Sequence, residues 1–290
     1  MIQATLYTDA ACPWAYSANP ALRVLEWRYG AELDWRLVMI GLRDEVSPGA
    51  AAAYDPERVV QRLTFFGERY GMPFGSVAKE RASASARGCR AVVAARLHDP
   101  GSEWRVLRAL QLAQFTTALL LDDDEMIRHV LRSVPGLDAD AIVDHLDDDD
   151  VAAAYRQDKA ETRSAAGTAA ETQRKTSTSD GPVRFTAPTI VFELDGSRLV
   201  AGGWQPLLAY DTVIANLDPS ISRTPPPETP EPLLTHFRDG LTTAEVASLL
   251  ADGADPVPDL DATRQALLQL LAEGRAVREP LGSDALWRPT

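Results

Sequence analysis

Asp9-Ala10-Ala11-Cys12-Pro13-Trp14-Ala15-Tyr16 follows a short alternating strand pattern, residues 2 to 8, and opens a long helical one. A cysteine at such a strand-to-helix junction is expected to be the N-cap of the helix. The unpaired N–H groups and the helix dipole there favour a thiolate, the reactive form of sulfur. Pro13 suits the first helical position, where its missing donor costs nothing. On these grounds the Cys12 thiol is expected to titrate well below a free cysteine's ~8.5 and to act as a nucleophile. The competing reading is a buried structural cysteine, the commoner fate of a free thiol. Ala15 matters equally, because a dithiol Cys-x-x-Cys site needs its second cysteine there. This chain holds the first half of such a site and lacks the other.

A second stretch tips the balance towards chemistry. Thr186-Ala187-Pro188-Thr189-Ile190-Val191-Phe192 places a proline at the mouth of a β-branched strand, where proline is tolerated and a cis peptide suits a tight turn. Cys12-Pro13-Trp14-Ala15-Tyr16 together with Ala187-Pro188-Thr189 resembles the DsbA-like branch of the thioredoxin-fold superfamily, particularly its FrnE-like members. Those proteins carry a Cys-Pro-Trp-Cys-Tyr site near the N-terminus and a cis-proline loop more than a hundred residues later, separated by a large helical insertion. The same branch includes kappa-class glutathione transferases and 2-hydroxychromene-2-carboxylate isomerases, in which a serine takes the nucleophile position. The chain departs from the redox members at Ala15 and from the isomerases at Cys12.

The resemblance implies an α/β fold: a thioredoxin domain over residues 1–217 with a helical insertion at about 43–184. It also implies that Cys12 and Pro188 form the catalytic pair, and that the Trp14 and Ala15 backbone stabilises the thiolate. Pro188 would leave the backbone of Thr186 or Ala187 free to pair with a substrate. Pro13, Trp14, Ala15 and Tyr16 would complete the binding groove. The implied activity is a monothiol disulfide oxidoreductase, in which an external small thiol, glutathione or mycothiol, serves as co-substrate and no cofactor is bound. The alternatives are a small-thiol-dependent transferase or isomerase acting on an organic substrate, and a binding protein whose redox site has decayed.

Composition sets outer bounds. The chain has 290 residues, long enough for more than one domain. No apolar run approaches the ~20 residues needed to span a bilayer. The first residues enter a strand at once, without a basic region or apolar signal core. A cytoplasmic location is therefore expected, in agreement with only two cysteines, Cys12 and Cys89. A formal charge of −13 repels phosphate backbones and argues against nucleic acid as a partner. Lysine occurs only at Lys79, Lys159 and Lys175, a bias that suggests a GC-rich genome, of the kind where mycothiol often replaces glutathione.

Along the chain, a first helix is expected from about Pro13 to Tyr29, kinked at Asn19-Pro20, then a strand over Leu33–Ile40. This β-α-β unit implies two parallel strands. Val59, Val60, Leu63 and Phe66 mark a helical stripe that ends close to Gly67. Further helices are expected at Arg87–Leu97, Glu103–Leu121, Glu125–Ser133, Asp138–Leu146 and Val151–Ser164. Residues 164–184 read as a solvated, mobile loop or, because they lead into Pro188, as a lid. A hairpin follows, Phe185–Glu193 with Arg198–Ala201, and a last helix runs from Pro206 to about Leu217. Residues 218–230 form a proline-rich, semi-rigid linker. In residues 231–290, Thr242-Thr243-Ala244-Glu245 is a capping box, and the helices followed by a hairpin resemble a winged helix. Ten acidic residues face five arginines there, and the candidate reading helix offers only Arg264. Packing against the main domain or a partner protein is the better reading.

Cys89 lies on the apolar stripe of an alanine-rich helix and reads as a core cysteine rather than a resolving thiol. The acidic runs at Asp122–Glu125 and Asp147–Asp150 read as helix caps. His98, His129, His145 and His236 show no metal or triad spacing, so no metal site is expected.

Overall fold

The computed structural model describes residues 1–179, 181–253 and 256–290. Strand β1 (Ile2–Thr8), helices α1 (Pro13–Ser17) and α2 (Asn19–Tyr29), and strand β2 (Leu33–Met39) form the first unit. The two strands are parallel, in register from Ile2 opposite Leu33 to Thr8 opposite Met39. The expected single helix is two. Ala18 closes α1 by donating its N–H to the Ala15 and Tyr16 carbonyls, and Pro20, lacking a donor, sits in the first turn of α2.

The insertion carries α3 (Pro48–Ala52), α4 (Pro56–Tyr70), α5 (Ala86–His98), α6 (Glu103–Thr116), α7 (Asp124–Arg132), α8 (Ala139–Asp144), α9 (Asp149–Thr162) and α10 (Ala169–Thr172). Two of these helix boundaries differ from the sequence reading by more than two residues. Helix α4 runs through Gly67 and ends at Gly71, whose φ of 79° supplies the left-handed cap. Helix α6 stops at Thr116, because Thr117 is extended and the hydroxyls of Thr116 and Thr117 bond back to the Leu112 and Ala113 carbonyls. The short pair β3 (Thr176–Ser177) and β4 (Arg184–Phe185) follows. Strands β5 (Thr189–Leu194) and β6 (Ser197–Ala201) form the expected hairpin, but Phe185 belongs to β4, and the turn at Thr186–Pro188 separates it from β5. Helix α11 (Leu207–Leu217) ends this part of the chain.

The main sheet has the order β2-β1-β5-β6, with β5 antiparallel to both neighbours. Alternation sorts its side chains onto two faces. Leu6, Leu37, Met39, Ile190 and Phe192 join the larger core under α5, α6 and α9. Tyr7, Val38, Val191 and Val200 point the other way and pack with Cys12, Ala165, Ala170, Phe185 and Ala187. The 164–184 segment is mostly exposed, as the reading of a solvated loop expects, but Ala165, Ala170 and Arg184 are buried, and the two alanines tie it down beside Cys12; Asp180 lies outside the described residues.

The C-terminal elements are α12 (Glu231–His236), β7 (Leu241–Thr242), α13 (Thr243–Leu250), α14 (Leu260–Ala272), β8 (Ala276–Leu281) and β9 (Asp284–Pro289), with a sheet in the order β7-β9-β8. Thr242 and Glu245 form the reciprocal capping box at the start of α13. These elements close over α2: Val24 is buried among Leu233, Val246 and Trp287, with Trp27 against the same cluster. Arg108 of α6 makes two bonds to the buried Glu245 carboxylate, at 2.6 and 2.8 Å, and a third to the Gly240 carbonyl. The linker is tied down as well, by Thr224 N–H to the Arg28 carbonyl and by Trp27 Nε1 to the Pro225 carbonyl.

Candidate active site

Cys12 is the N-cap of α1, in extended backbone (φ −89°, ψ 115°), with Pro13 in the first turn. Its side chain makes no capping hydrogen bond to the helix, although the Trp14 and Ala15 amides lie near enough to favour its thiolate. Across from it the Ala187–Pro188 peptide is cis, and Cys12 Sγ donates to the Ala187 carbonyl at 3.3 Å. Two stretches 175 residues apart are thus brought into direct contact.

The acidity expected of Cys12 is not what this geometry produces. The residue is 5% exposed, and burial, the largest influence, pushes its thiol up to about 12. The Ala15 and Trp14 amides and the Arg62 charge pull it down, but the Asp9 carboxylate opposes them. A helix of five residues has few aligned dipoles, too few to offset the loss of water around an anion. The resting thiol is therefore protonated at neutral pH. Its alkylation by iodoacetamide, followed at the Cys12 peptide by mass spectrometry, is expected to rise roughly tenfold per pH unit from pH 7 to 9, as the thiolate fraction does. A plateau at or below pH 8 would mean that the helix terminus prevails over burial.

Asp9 fixes the loop that carries Cys12. Its carboxylate is wholly buried and accepts from Ala11 N at 2.9 Å, Leu42 N at 2.7 Å and Ser85 Oγ at 3.0 Å. Cys89 Sγ donates to the same carboxylate at 3.4 Å. Burial raises the Asp9 carboxyl and pushes the Cys89 thiol well above its ordinary range. Cys89 is thus a core cysteine, as its apolar stripe indicated, and it also helps to hold the floor of the site.

The residues flanking Cys12 divide by orientation. Trp14 is 37% exposed and stands edge-on to Phe66 and Tyr70, with ring centroids 5.0 and 5.4 Å away. Tyr70 in turn meets Trp204 at 5.0 Å. Pro13 is partly exposed beside them. Tyr16, expected in the groove, points inward instead. It is wholly buried, stacks on Phe115 and donates to the Pro73 carbonyl at 2.8 Å. Three residues after Pro13 on a helix, it faces the core that α6 and the 72–74 segment provide. At Thr186 and Ala187, either of which was expected to offer its backbone to a substrate, each carbonyl already takes one bond: Thr186 O accepts from Thr189 Oγ1 at 2.7 Å, and Ala187 O from Cys12 Sγ.

Behind the motif lies a cavity of about 290 Å³ whose wall includes Ala15, Pro188, Thr8, Trp35, Trp104 and Gln111. Gln111 is almost fully buried, and its side-chain oxygen accepts from Asn19 Nδ2 at 3.1 Å. Sequence reading missed Asp9, Arg62, Tyr70, Trp204 and this cavity. An aspartate three residues before a candidate nucleophile was the available clue to the first; the others come from distant elements and left none. It also gave no sign that His98, His145 and Asp148 converge elsewhere in the insertion.

The fold and the site define a thioredoxin-fold protein with a thiol at the start of its first helix and a cis-proline loop facing it. The family model of the DSBA-like thioredoxin domain matches residues 3–168, more than half of the chain, and the chain belongs to that family. The match includes Cys12 and ends before Pro188. Among solved structures, the chain is similar to a "putative protein disulfide isomerase" from Nitrosomonas europaea, with 15% identity, a TM-score of 0.58, and coverage of 74% of this chain and 96% of that one. It is also similar to a "probable DsbA oxidoreductase" from Streptomyces coelicolor, with 16% identity, a TM-score of 0.56, and coverage of 78% and 92%. The comparison with curated proteins gave no match. Among the described residues no helix is long and apolar enough to cross a membrane.

Proposed function

We propose that the protein is a thiol–disulfide oxidoreductase that works with one cysteine and is resolved by a small thiol such as glutathione or mycothiol. The observation that carries this reading is Cys12 Sγ at the start of α1, 3.3 Å from the carbonyl before the cis-proline, with an alanine where a second thiol would stand. In the reaction, the Cys12 thiolate attacks one sulfur of a substrate disulfide and the other sulfur leaves as a thiolate. A small thiolate then attacks the substrate sulfur of the mixed disulfide and releases Cys12, leaving a disulfide between substrate and small thiol. Arg62, exposed on α4 and in contact with the Phe66 ring, supplies a cation for a carboxylate of the small thiol. The aromatic surface of Trp14, Tyr70 and Trp204 takes its uncharged part.

Incubation with glutathione disulfide or mycothiol disulfide at pH 9 tests this. One adduct per chain is expected, on Cys12, and none in Cys12→Ser. An adduct confined to Cys89, or none at all, would overturn the proposal. A second reading, a small-thiol-dependent transferase or isomerase, is favoured by the cavity that shares Ala15 and Pro188 with the site. It predicts that small organic electrophiles, rather than disulfides, are consumed in the presence of the thiol.

The C-terminal elements are read as a winged-helix-like support and not as a DNA reader. Arg264, Arg275 and Arg288 are each paired with carboxylates, and the ten acidic residues of this segment outnumber its five arginines, a balance that opposes phosphate contact. A gel shift of duplex DNA at low micromolar protein would count against this.

A further inference from the structure

The turn between α8 and α9 meets the end of α5 in a cluster that the site chemistry does not use. His98 is the last residue of α5, His145 caps the C-terminus of α8, and Asp148 is the N-cap of α9. One ligand atom from each lies within 4.8 Å of the other two. The imidazoles of His98 and His145 stack at 4.1 Å, nearly parallel at 15°, and His145 Nδ1 is 2.6 Å from Asp148 Oδ2. Asp150 approaches His98 Nε2 at 3.7 Å. We propose that His98, His145 and Asp148 bind one zinc-type divalent ion, with Asp150 or water as the fourth ligand.

Three features of the cluster support this assignment. Every other aspartate at an N-cap in the described chain (Asp55, Asp123, Asp138 and Asp259) accepts hydrogen bonds from its own helix. Asp148 makes no such bond and turns its carboxylate to His145 instead. The two imidazoles are held side by side, 4.1 Å between centroids, and because a ring nitrogen binds a metal in its own plane, a turn of one ring about its side-chain torsion brings both nitrogens to a shared ion. The C-terminal ends of α5 and α8 both point here, and their partial negative charge favours a cation against the single opposing N-terminus of α9. Asp147, the next acidic side chain, is engaged by Arg87 and Arg90 and stays outside the set.

The donor set decides the class of ion. Two imidazole nitrogens and a carboxylate oxygen suit zinc, while calcium and magnesium prefer all-oxygen shells. A bound ion would tie the end of α5 to the start of α9. Helix α9 carries Asp158, which accepts from Met39 N and Arg96, and Glu161, which accepts from Tyr7. The ion would thus brace the helix that supports the sheet edge near the active site.

The test is a Zn²⁺ titration of the full-length protein against a chromogenic chelator, with Cys12→Ser as the control for thiol binding. One equivalent is expected in both proteins, with at least about 100-fold weaker binding in His98→Ala/His145→Ala. Addition of Mg²⁺ should not compete. Zinc uptake that is unchanged in the double variant, absent from the wild type, or lost in Cys12→Ser would overturn the proposal. If the double variant fails to fold, the imidazole NMR signals of the wild type decide. Zn²⁺ should shift those of His98 and His145 and leave His129 and His236 in place; any other pattern refutes the site.

Discussion

Ala15→Cys is expected to resolve its own mixed disulfide at least roughly 100-fold faster than the wild type does with millimolar external thiol, because the second sulfur is then held in place rather than drawn from solution. The geometry favours this gain. Ala15 follows Cys12 by three residues, about one helical turn, and it borders the cavity behind the motif. A sulfur added there has room without displacing the core. The wild type, by contrast, is expected to accumulate a stable adduct on Cys12 and to turn over only when glutathione or mycothiol is supplied. Single-turnover release of a labelled thiol from the mixed disulfide measures both quantities. If Ala15→Cys gains nothing, and no small thiol restores turnover in the wild type, the monothiol proposal fails.

Glu245→Ala is expected to destabilise the protein by about 3–5 kcal/mol, the usual consequence of stranding one member of a buried ion pair. Glu245 is wholly buried, as is most of Arg108. The Glu245 carboxylate also accepts from Thr242 N at 2.7 Å, so the substitution removes a helix cap along with the pair. A fall in melting temperature of roughly 10 °C would be expected; a change of only a degree or two would show that the charge was not stabilising. Burial raises the Glu245 carboxyl, but the charge of Arg108 and its hydrogen bonds outweigh that and hold it below the usual range. The contribution of the pair is therefore fully present above the unfolded value of ~4.3 and is lost as pH falls through the lower folded one. Stability of the wild type should fall steeply in that acid window, and that of Glu245→Gln should fall less.

Local chemistry made the frame of the fold legible. The alternation in β1, the proline after Cys12, the proline before β5 and the Thr242–Glu245 capping box each signal structure within a few residues, and each stands where the sequence indicated. What escaped depends on distant groups. The acidity of Cys12 could not be read from its own helix, because the cluster it is buried in draws on Tyr7, Val38, Ala165, Phe185 and Ala187, far apart in the chain. Tyr16 lies in the motif, yet Phe115 and the Pro73 carbonyl decide which way it points. The Arg108–Glu245 pair spans 137 residues, and His98 meets His145 only because three helices end at one place.

One small feature of the C-terminal hairpin reaches further than its size suggests. Gly282, at φ 54°, lets the turn between β8 and β9 approach so closely that an added Cβ would lie 3.0 Å from the Phe74 backbone. Ser283 N–H then donates to the Phe74 carbonyl and Ser283 Oγ accepts from the Phe74 N–H, while the Phe74 ring packs edge-on against Tyr16 in α1. The wall behind the second residue after Trp14 is therefore completed by a turn 209 residues further along the chain than Phe74. Any change that loosens the β8–β9 turn would be felt first at Phe74 and, through its ring, at the helix that Cys12 caps.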